Sequence, residues 1–338
     1  MVSSYENYHR EPKAKVPILV CALAIPVSAI YWIVGYSELA PNVKHINGCS
    51  LTSSWRLPIT LTIFVILSVW SMKGKGLVLS GILSGLFVGI ITNLSNYGHG
   101  ACLVAFFFTA SKATHFRPEK KRKLTTDYRE GGQRSWKQVL CNGGMATQLA
   151  LVYLFDIGCG ERPIDFDRDC KSSSLSIGIL GALACCNGDT WASQIGTVLG
   201  EKEPILITTG KKVPKGTNGG VTAIGLIVSL MGGLVVGICN YIAIVCTVDP
   251  AALQNARPQW PIIIAGGFAG LLGSVIDSIF GATLQYSGMD ENGKIVEGPG
   301  KGVKHISGKQ IIDDHSVNLL ASVVTAWVLP NLSMIFWP

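Results

Sequence analysis

The chain has 338 residues, 48% of them hydrophobic and only 14% charged, with a formal net charge of +7 and a mean hydropathy of +0.39. A soluble domain carries nearer a quarter charged residues, so this balance excludes an ordinary soluble globular protein. The charges are also clustered, which leaves uncharged runs long enough to cross hydrocarbon as helices, for which about 17–25 residues suffice.

In chain order, residues 1–15 read as a polar cytosolic tail and 16–338 as a single integral membrane domain. Spans are expected near 16–37, 57–72, 76–95, 97–111, 138–155, 172–200, 219–248, 261–285 and 316–337. The stretch 76–111 is too long for one span and breaks near Asn96-Tyr97-Gly98. None of the runs alternates with the period of two that a membrane barrel needs. The expected fold class is therefore all-α: a polytopic membrane helix bundle of about nine spans, with short hairpin loops on the cytosolic side. With the N-terminus in the cytosol, 22 of the 28 Lys and Arg residues fall on the cytosolic side, as the positive-inside rule requires. An odd span count then puts the C-terminus outside.

Ten cysteines include no Cys-x-x-Cys and no zinc spacing. Cys159 and Cys170 fall on the non-cytosolic side and could form a bridge. Gly81, Gly85 and Gly89 form a small-xxx-small face suited to helix packing.

Two acids fall inside spans, where a carboxylate costs roughly 2.5–3.5 kcal/mol to insert and usually faces a polar interior. On an α-helix Asp189, Ser193, Gly196 and Gly200 share one face, and so do Gly266, Gly270, Gly273, Asp277, Gly281 and Gln285. Glycine beside a carboxylate leaves room for a partner helix, a metal ion or a ligand. Asp313-Asp314 opens the last span, where an acid also complements the helix dipole. Each intramembrane acid is followed by a short loop with Lys and Gly. Lys211, Lys212 and Lys215 beside Gly216, Gly219 and Gly220 suit a phosphate, although Gly-Lys-Ser/Thr at the Walker A spacing is missing. Asn292-Gly293 is a hairpin-turn signal, so the second loop repeats the pattern of helix, hairpin and helix. In the largest loop the basic cluster 120–123 reads as a solvated or lipid-facing patch. Lys112 and Arg134 flank the membrane ends and are the better ligand candidates, with Asn142 just inside the next span.

Several segments carry a resemblance. They are Phe106-Phe107-Phe108-Thr109-Ala110-Ser111-Lys112-Ala113-Thr114, Gly131-Gly132-Gln133-Arg134-Ser135-Trp136-Lys137-Gln138-Val139 with Asn142-Gly143-Gly144, Cys186-Asn187-Gly188-Asp189-Thr190-Trp191-Ala192-Ser193, Val213-Pro214-Lys215-Gly216-Thr217-Asn218-Gly219-Gly220 and Asp277-Ser278-Ile279-Phe280-Gly281-Ala282-Thr283-Leu284-Gln285. Together they resemble the transmembrane protein 19 family, whose relatives include the phytyl-phosphate kinases of plants and cyanobacteria. The likeness covers roughly residues 60–335. A more distant likeness reaches the dolichol kinases and phosphatidate cytidylyltransferases, in the order Asp189, Ala192, Gly196, Gly200 and the 211–219 loop. Those proteins carry an acid in that loop, and this chain has none between Lys211 and Gly220. The resemblance implies phosphoryl transfer from a nucleoside triphosphate to an isoprenyl monophosphate, with Mg²⁺. Asp189, Asp277 and Lys215 would be catalytic, and Asp189, Asp277 and Asp314 would hold the metal. Lys112, Arg134, Asn142, Lys211, Lys212, Gly216 and Gly219 would bind nucleotide or phosphate. The expected partners are an isoprenyl phosphate lipid and the bilayer, with no nucleic acid, in the endoplasmic reticulum or another endomembrane. A membrane transporter and a non-catalytic membrane protein remain the alternatives.

Overall fold

The computed structural model describes residues 20, 23–30, 32, 55–74, 76–122, 133–200 and 202–338. The expected polar tail lies outside these residues, and the first expected span is described only in part, as helix. Eight long helices follow among the described residues: α1 (Arg56–Lys73), α2 (Leu79–Ser95), α3 (Tyr97–Thr114), α4 (Trp136–Asp156), α5 (Cys170–Trp191), α6 (Ala223–Thr247), α7 (Pro261–Leu284) and α8 (Asp314–Phe336). Four of them, α1, α6, α7 and α8, are long and apolar enough to cross a membrane by length and composition. The chain is an all-α membrane protein.

The break between α2 and α3 falls at Asn96, whose backbone is extended and whose side chain accepts from the Gly98 N–H at 2.7 Å. This is an N-cap, and it satisfies one of the first unpaired donors of α3. α5 occupies the centre: every residue from Ser172 to Gly188 is buried, and α3, α4, α6, α7 and α8 pack around it. A helix enclosed by protein need not be apolar towards lipid, which is why α5 can carry Ser172, Ser173, Ser174 and Ser176. Ser176 Oγ meets His99 Nε2 at 3.0 Å, and His99 Nδ1 meets Ser95 Oγ at 2.8 Å. The outward faces are the reverse, with exposed Leu57, Ile66, Ile227, Ile242, Ile264 and Phe268.

The bundle has two distinct ends. At one, Arg56 pairs with Glu161 at 2.9 Å, and Gln259 holds the backbone of Ile164 through two 2.8 Å bonds. Cys159 forms a disulfide here, but Cys170 is a free thiol, so the Cys159–Cys170 bridge allowed by the sequence does not form. Helix α5 begins at Cys170 and commits that residue to the bundle. The opposite end carries two small antiparallel sheets, one after each acid-bearing helix. β1 (Ile205–Leu206) pairs with β2 (Gly220–Val221), and β3 (Ser287–Met289) pairs with β4 (Ile295–Val296) and β5 (Lys304–Ser307). Gly293 adopts φ +77° in the β3–β4 turn, as the Asn-Gly signal requires.

α5, α6 and α7 meet backbone to backbone. A Cβ on Gly188 would lie 2.6 Å from Gly270 Cα, and one on Gly270 would lie 2.8 Å from Gly233 Cα. Gly81 likewise admits the Arg134 carbonyl and Gly89 admits the Phe64 ring, whereas a Cβ on Gly85 would meet the Leu77 side chain only at 4.0 Å. The substitution Gly270→Leu should therefore lower stability by roughly 1–3 kcal/mol or more through overpacking. Gly144→Ala, with nothing within 4 Å of the added carbon, should be neutral or mildly stabilising. Thermal unfolding of the two variants in detergent checks the contrast.

Candidate functional site

Asp189, Asp277 and Asp314 come from α5, α7 and α8 and converge on the sheet-bearing end. Asp277 lies close enough to both Asp189 and Asp314 for their charges to interact, and Asp189 likewise senses Asp314. Asp189 and Asp277 are half-buried and Asp314 is exposed. Capping of α8 falls to Asp313, which accepts from the Ser316 N–H at 3.0 Å. Asp314 is thus left free of the capping role, with Gln285 near it.

The face expected on α7 holds. Gly266, Gly270, Gly273 and Gly281 are buried and Asp277 continues the row. The face expected on α5 does not. Ala192–Gly196 is a π-helical turn, and the added residue per turn rotates everything beyond Trp191 out of the α-helical register. Ser193 is exposed, Gly196 packs on Gly225, and Gly200 lies past the helix end with ψ 118°.

Beside Asp189, Asn187 is fully buried and joins three helices. Its Oδ1 accepts from Thr109 Oγ1 at 2.9 Å and its Nδ2 donates to the Gly232 carbonyl at 2.8 Å. The loop 213–220 folds over the last turns of α7. Gly219, at φ +77°, lies so close to Ser278 and Ala282 that a side chain would collide with both. Gly216 is exposed at φ +91°.

The cations do not gather as the sequence reading proposed. Lys215 Nζ donates to the Gly200 carbonyl at 2.5 Å and, with Arg117 and Lys120, lines a cleft of about 320 Å³ beside Thr197, Val198 and Leu199. Lys211 and Lys212 are exposed on the hairpin that follows β1. Lys112 is exposed, with its ammonium 4.4 Å from the centre of the Phe108 ring. Arg134 and Asn142 sit apart, buried in a groove bounded by α1, α2, α3 and α4. Lys121 overturns the reading of 120–123 as a solvated patch. It is 7% exposed and donates to the carbonyls of Ala113 and Thr114 and to Gln194 Oε1 at 2.8–3.0 Å. It ties the C-terminus of α3 to the π turn of α5.

The donor set at the acids is hard oxygen, which suits Mg²⁺. Among the described residues no three His, Cys, Asp or Glu are grouped so as to hold a metal alone. Mg²⁺ ordinarily takes one or two carboxylates and completes its shell with water and substrate phosphates, a mode that a pair drawn from Asp189, Asp277 and Asp314 would fit.

Residues 62–326 match the integral membrane protein family DUF92, and the chain belongs to that family. It is 41% identical over 275 residues to Protein PGR of Arabidopsis thaliana, covering 81% of this chain and 95% of that one. An uncharacterized membrane protein of Methanocaldococcus jannaschii is 24% identical over 238 residues, covering 70% of this chain and 87% of its own. Protein VTE6, chloroplastic, of Arabidopsis thaliana is 23% identical over 183 residues, covering 54% and 52%. No solved structure matches. These relatives lend no support to an endoplasmic reticulum location.

Lys121→Ala should lower the melting temperature, since it leaves two helix-end carbonyls and Gln194 without their donor. Lys112→Ala should stay within about 0.5 kcal/mol of wild type, as exposed positions generally do. Paired melting curves check this.

Proposed function

We propose that this chain is a nucleotide-dependent kinase of isoprenyl monophosphates, of the transmembrane protein 19 type, working at the basic end of the bundle. The observation that carries this reading is the meeting of three carboxylates from three helices at the end where Lys215, Arg117 and Lys120 share a cleft. Phosphoryl transfer between two anions needs positioning and charge neutralisation more than covalent chemistry. The attacking oxygen belongs to a phosphate already ionised near neutral pH, so no strong general base is required. Asp189, Asp277 and Asp314 would hold Mg²⁺, which when bound supplies charge neutralisation on the transferred group. Lys215, Arg117 and Lys120 would take the nucleotide phosphates. Gly216 and Gly219 keep the connecting loop free of side chains, so its backbone N–H groups can approach a phosphate. The lipid chain would stay among the helices while its head meets this end.

Charge balance at the two ends favours anion binding over a purely topological role. Arg56, Arg162, Arg168, Lys171 and Arg257, at the opposite end, each pair with a carboxylate. None of the described Arg117, Lys120, Lys211, Lys212 and Lys215 has such a partner.

The same reading places the N-terminus and the basic end in the cytosol, with about nine spans. The Cys159 disulfide suits a non-cytosolic, oxidising side. A cysteine introduced at Glu119 should react with an impermeant maleimide from the cytosolic side of sealed microsomes, and one at Arg168 should react only after permeabilisation. Labelling of both from one side would overturn the topology.

The chemistry is tested with protein in nanodiscs, Mg²⁺, labelled nucleotides and isoprenyl monophosphates. Asp189→Asn and Asp277→Asn should each cut diphosphate formation at least about 100-fold, and Lys215→Ala should raise the KM for nucleotide. Normal diphosphate formation by both Asn variants, at matched folded protein, would sink the catalytic assignment.

A further inference from the structure

Arg134 is the most costly side chain in the molecule to explain. It is 7% exposed. Its backbone is fixed by a bridge to Leu77, with its N–H donating to Gly76 and its carbonyl accepting from Val78. Its guanidinium has five donors, yet the contact it makes is with the Phe106 ring, the guanidinium carbon lying 5.9 Å from the ring centre. No carboxylate, carbonyl or hydroxyl among the described residues accepts from it. A buried cation left unpaired is strongly disfavoured. Burial lowers its pKa to about 10, so it stays charged at neutral pH. Nearby in the same groove Asn142 is 7% exposed, with Oδ1 buried and lacking a partner. Gln138 and Asn142, one turn apart on α4, line the groove together with Arg134, which precedes the helix in extended backbone.

The rest of the groove is apolar. From this polar mouth it runs between helices past Phe64, Leu67, Val88 and Leu103, with Gly85 leaving a gap in one wall. A fixed cation at the helix ends and a hydrocarbon slot leading inward together describe an amphiphile. The head must be anionic and able to accept several hydrogen bonds at once, and the tail must be apolar.

We propose that this groove is a binding site for a lipid phosphate monoester, its phosphate held by Arg134 with Gln138 and Asn142, and its chain lying between α1, α2, α3 and α4. The amide of Asn142 can turn its Nδ2 towards the head by rotation about its terminal torsion. The site is separate from the three carboxylates and does not depend on phosphoryl transfer. It would serve a kinase as the acceptor site and a transporter as the cargo site. Its inner wall nonetheless touches α5, where Cys186 Sγ donates to the Asn142 carbonyl at 3.4 Å, three residues before Asp189.

The test is binding to the full chain in detergent, without nucleotide or Mg²⁺, with farnesyl monophosphate, farnesol, dioleoyl phosphatidate and inorganic phosphate as probes. Farnesyl monophosphate should raise the melting temperature by several degrees and the other three should not. Arg134→Gln should abolish the shift, and Arg134→Lys should keep part of it. Should Arg134→Gln fail to fold, Gly85→Phe decides instead. It fills the gap while leaving the cation in place, and it too should abolish the shift. A farnesol shift equal to that of the phosphate would overturn the head-group assignment. A shift with inorganic phosphate alone would overturn the role of the groove, a larger shift with phosphatidate would overturn the monoester, and retention of the shift by Gly85→Phe or a folded Arg134→Gln would overturn the site. Loss of kinase activity with intact binding would leave this inference standing and remove only the catalytic reading.

Discussion

The close approach of α5, α6 and α7 at Gly188, Gly232, Gly233 and Gly270 is the constraint on which the rest of the structure depends. In lipid there is no hydrophobic gain from bringing helices together, so association rests on van der Waals contact and interhelical hydrogen bonds. Glycine supplies the first by letting backbones touch. Asn187, next to the contact, supplies the second through its bonds to Thr109 and Gly232. The consequence for the site is geometric. Asp189 follows Gly188 directly, and Asp277 lies two turns beyond Gly270 on the same face of α7. Fixing the glycine contact therefore fixes the separation of the two acids. A change that spreads α5 from α7 would move the carboxylates apart without touching either of them.

Much of this was legible in the sequence because it depended on local rules. The Asn96 cap, the Asn292-Gly293 turn and the glycine row of α7 are short-range signals, and each appears where the residues placed it. The acids were legible for a different reason. A carboxylate within an apolar run has no inexpensive location except a polar interior, so Asp189 and Asp277 announced themselves by cost. The α5 register failed because a π turn is a tertiary accommodation. Nothing in Ala192-Ser193-Gln194-Ile195-Gly196 distinguishes it from an α-helical turn. Lys121 failed for a related reason. A lysine among lysines reads as solvated until the ends of α3 and α5 are seen to lie on either side of it. The grouping of cations was equally hidden, because Arg117 and Lys215 are nearly a hundred residues apart in the chain.

The uneven treatment of charge at the two ends is the feature that most separates a functional surface from a topological one. The positive-inside rule asks only that Lys and Arg accumulate on one side. It does not ask that Arg117, Lys120, Lys211, Lys212 and Lys215 lack a carboxylate partner, although Asp290, Glu291, Asp313 and Asp314 lie on that end. Two of these serve the backbone instead. Asp290 accepts from the Asn292 and Lys294 N–H groups in the β3–β4 turn, and Asp313 caps α8. Asp290 and Asp313 are thus spent on backbone, and Asp314 is gathered with Asp189 and Asp277.

That segregation has an electrostatic consequence. Acids clustered in one place and cations in another leave strong fields of opposite sign side by side, in a region where hydrocarbon and protein screen charge poorly. Such an arrangement is unfavourable by itself, since both clusters suffer like-charge repulsion. It becomes favourable when a ligand carries the complementary pattern, with anionic phosphates for the cations and a divalent ion for the acids. A metal–nucleotide complex has that pattern in one molecule. Arg134, isolated from both clusters and desolvated in an apolar groove, calls for a different ligand, one whose charge is joined to a hydrocarbon chain. In the proposed reading, a site for a metal–nucleotide complex and a second site for a lipid phosphate at the same end of one bundle are what transfer between a water-soluble and a lipid-borne phosphate would require.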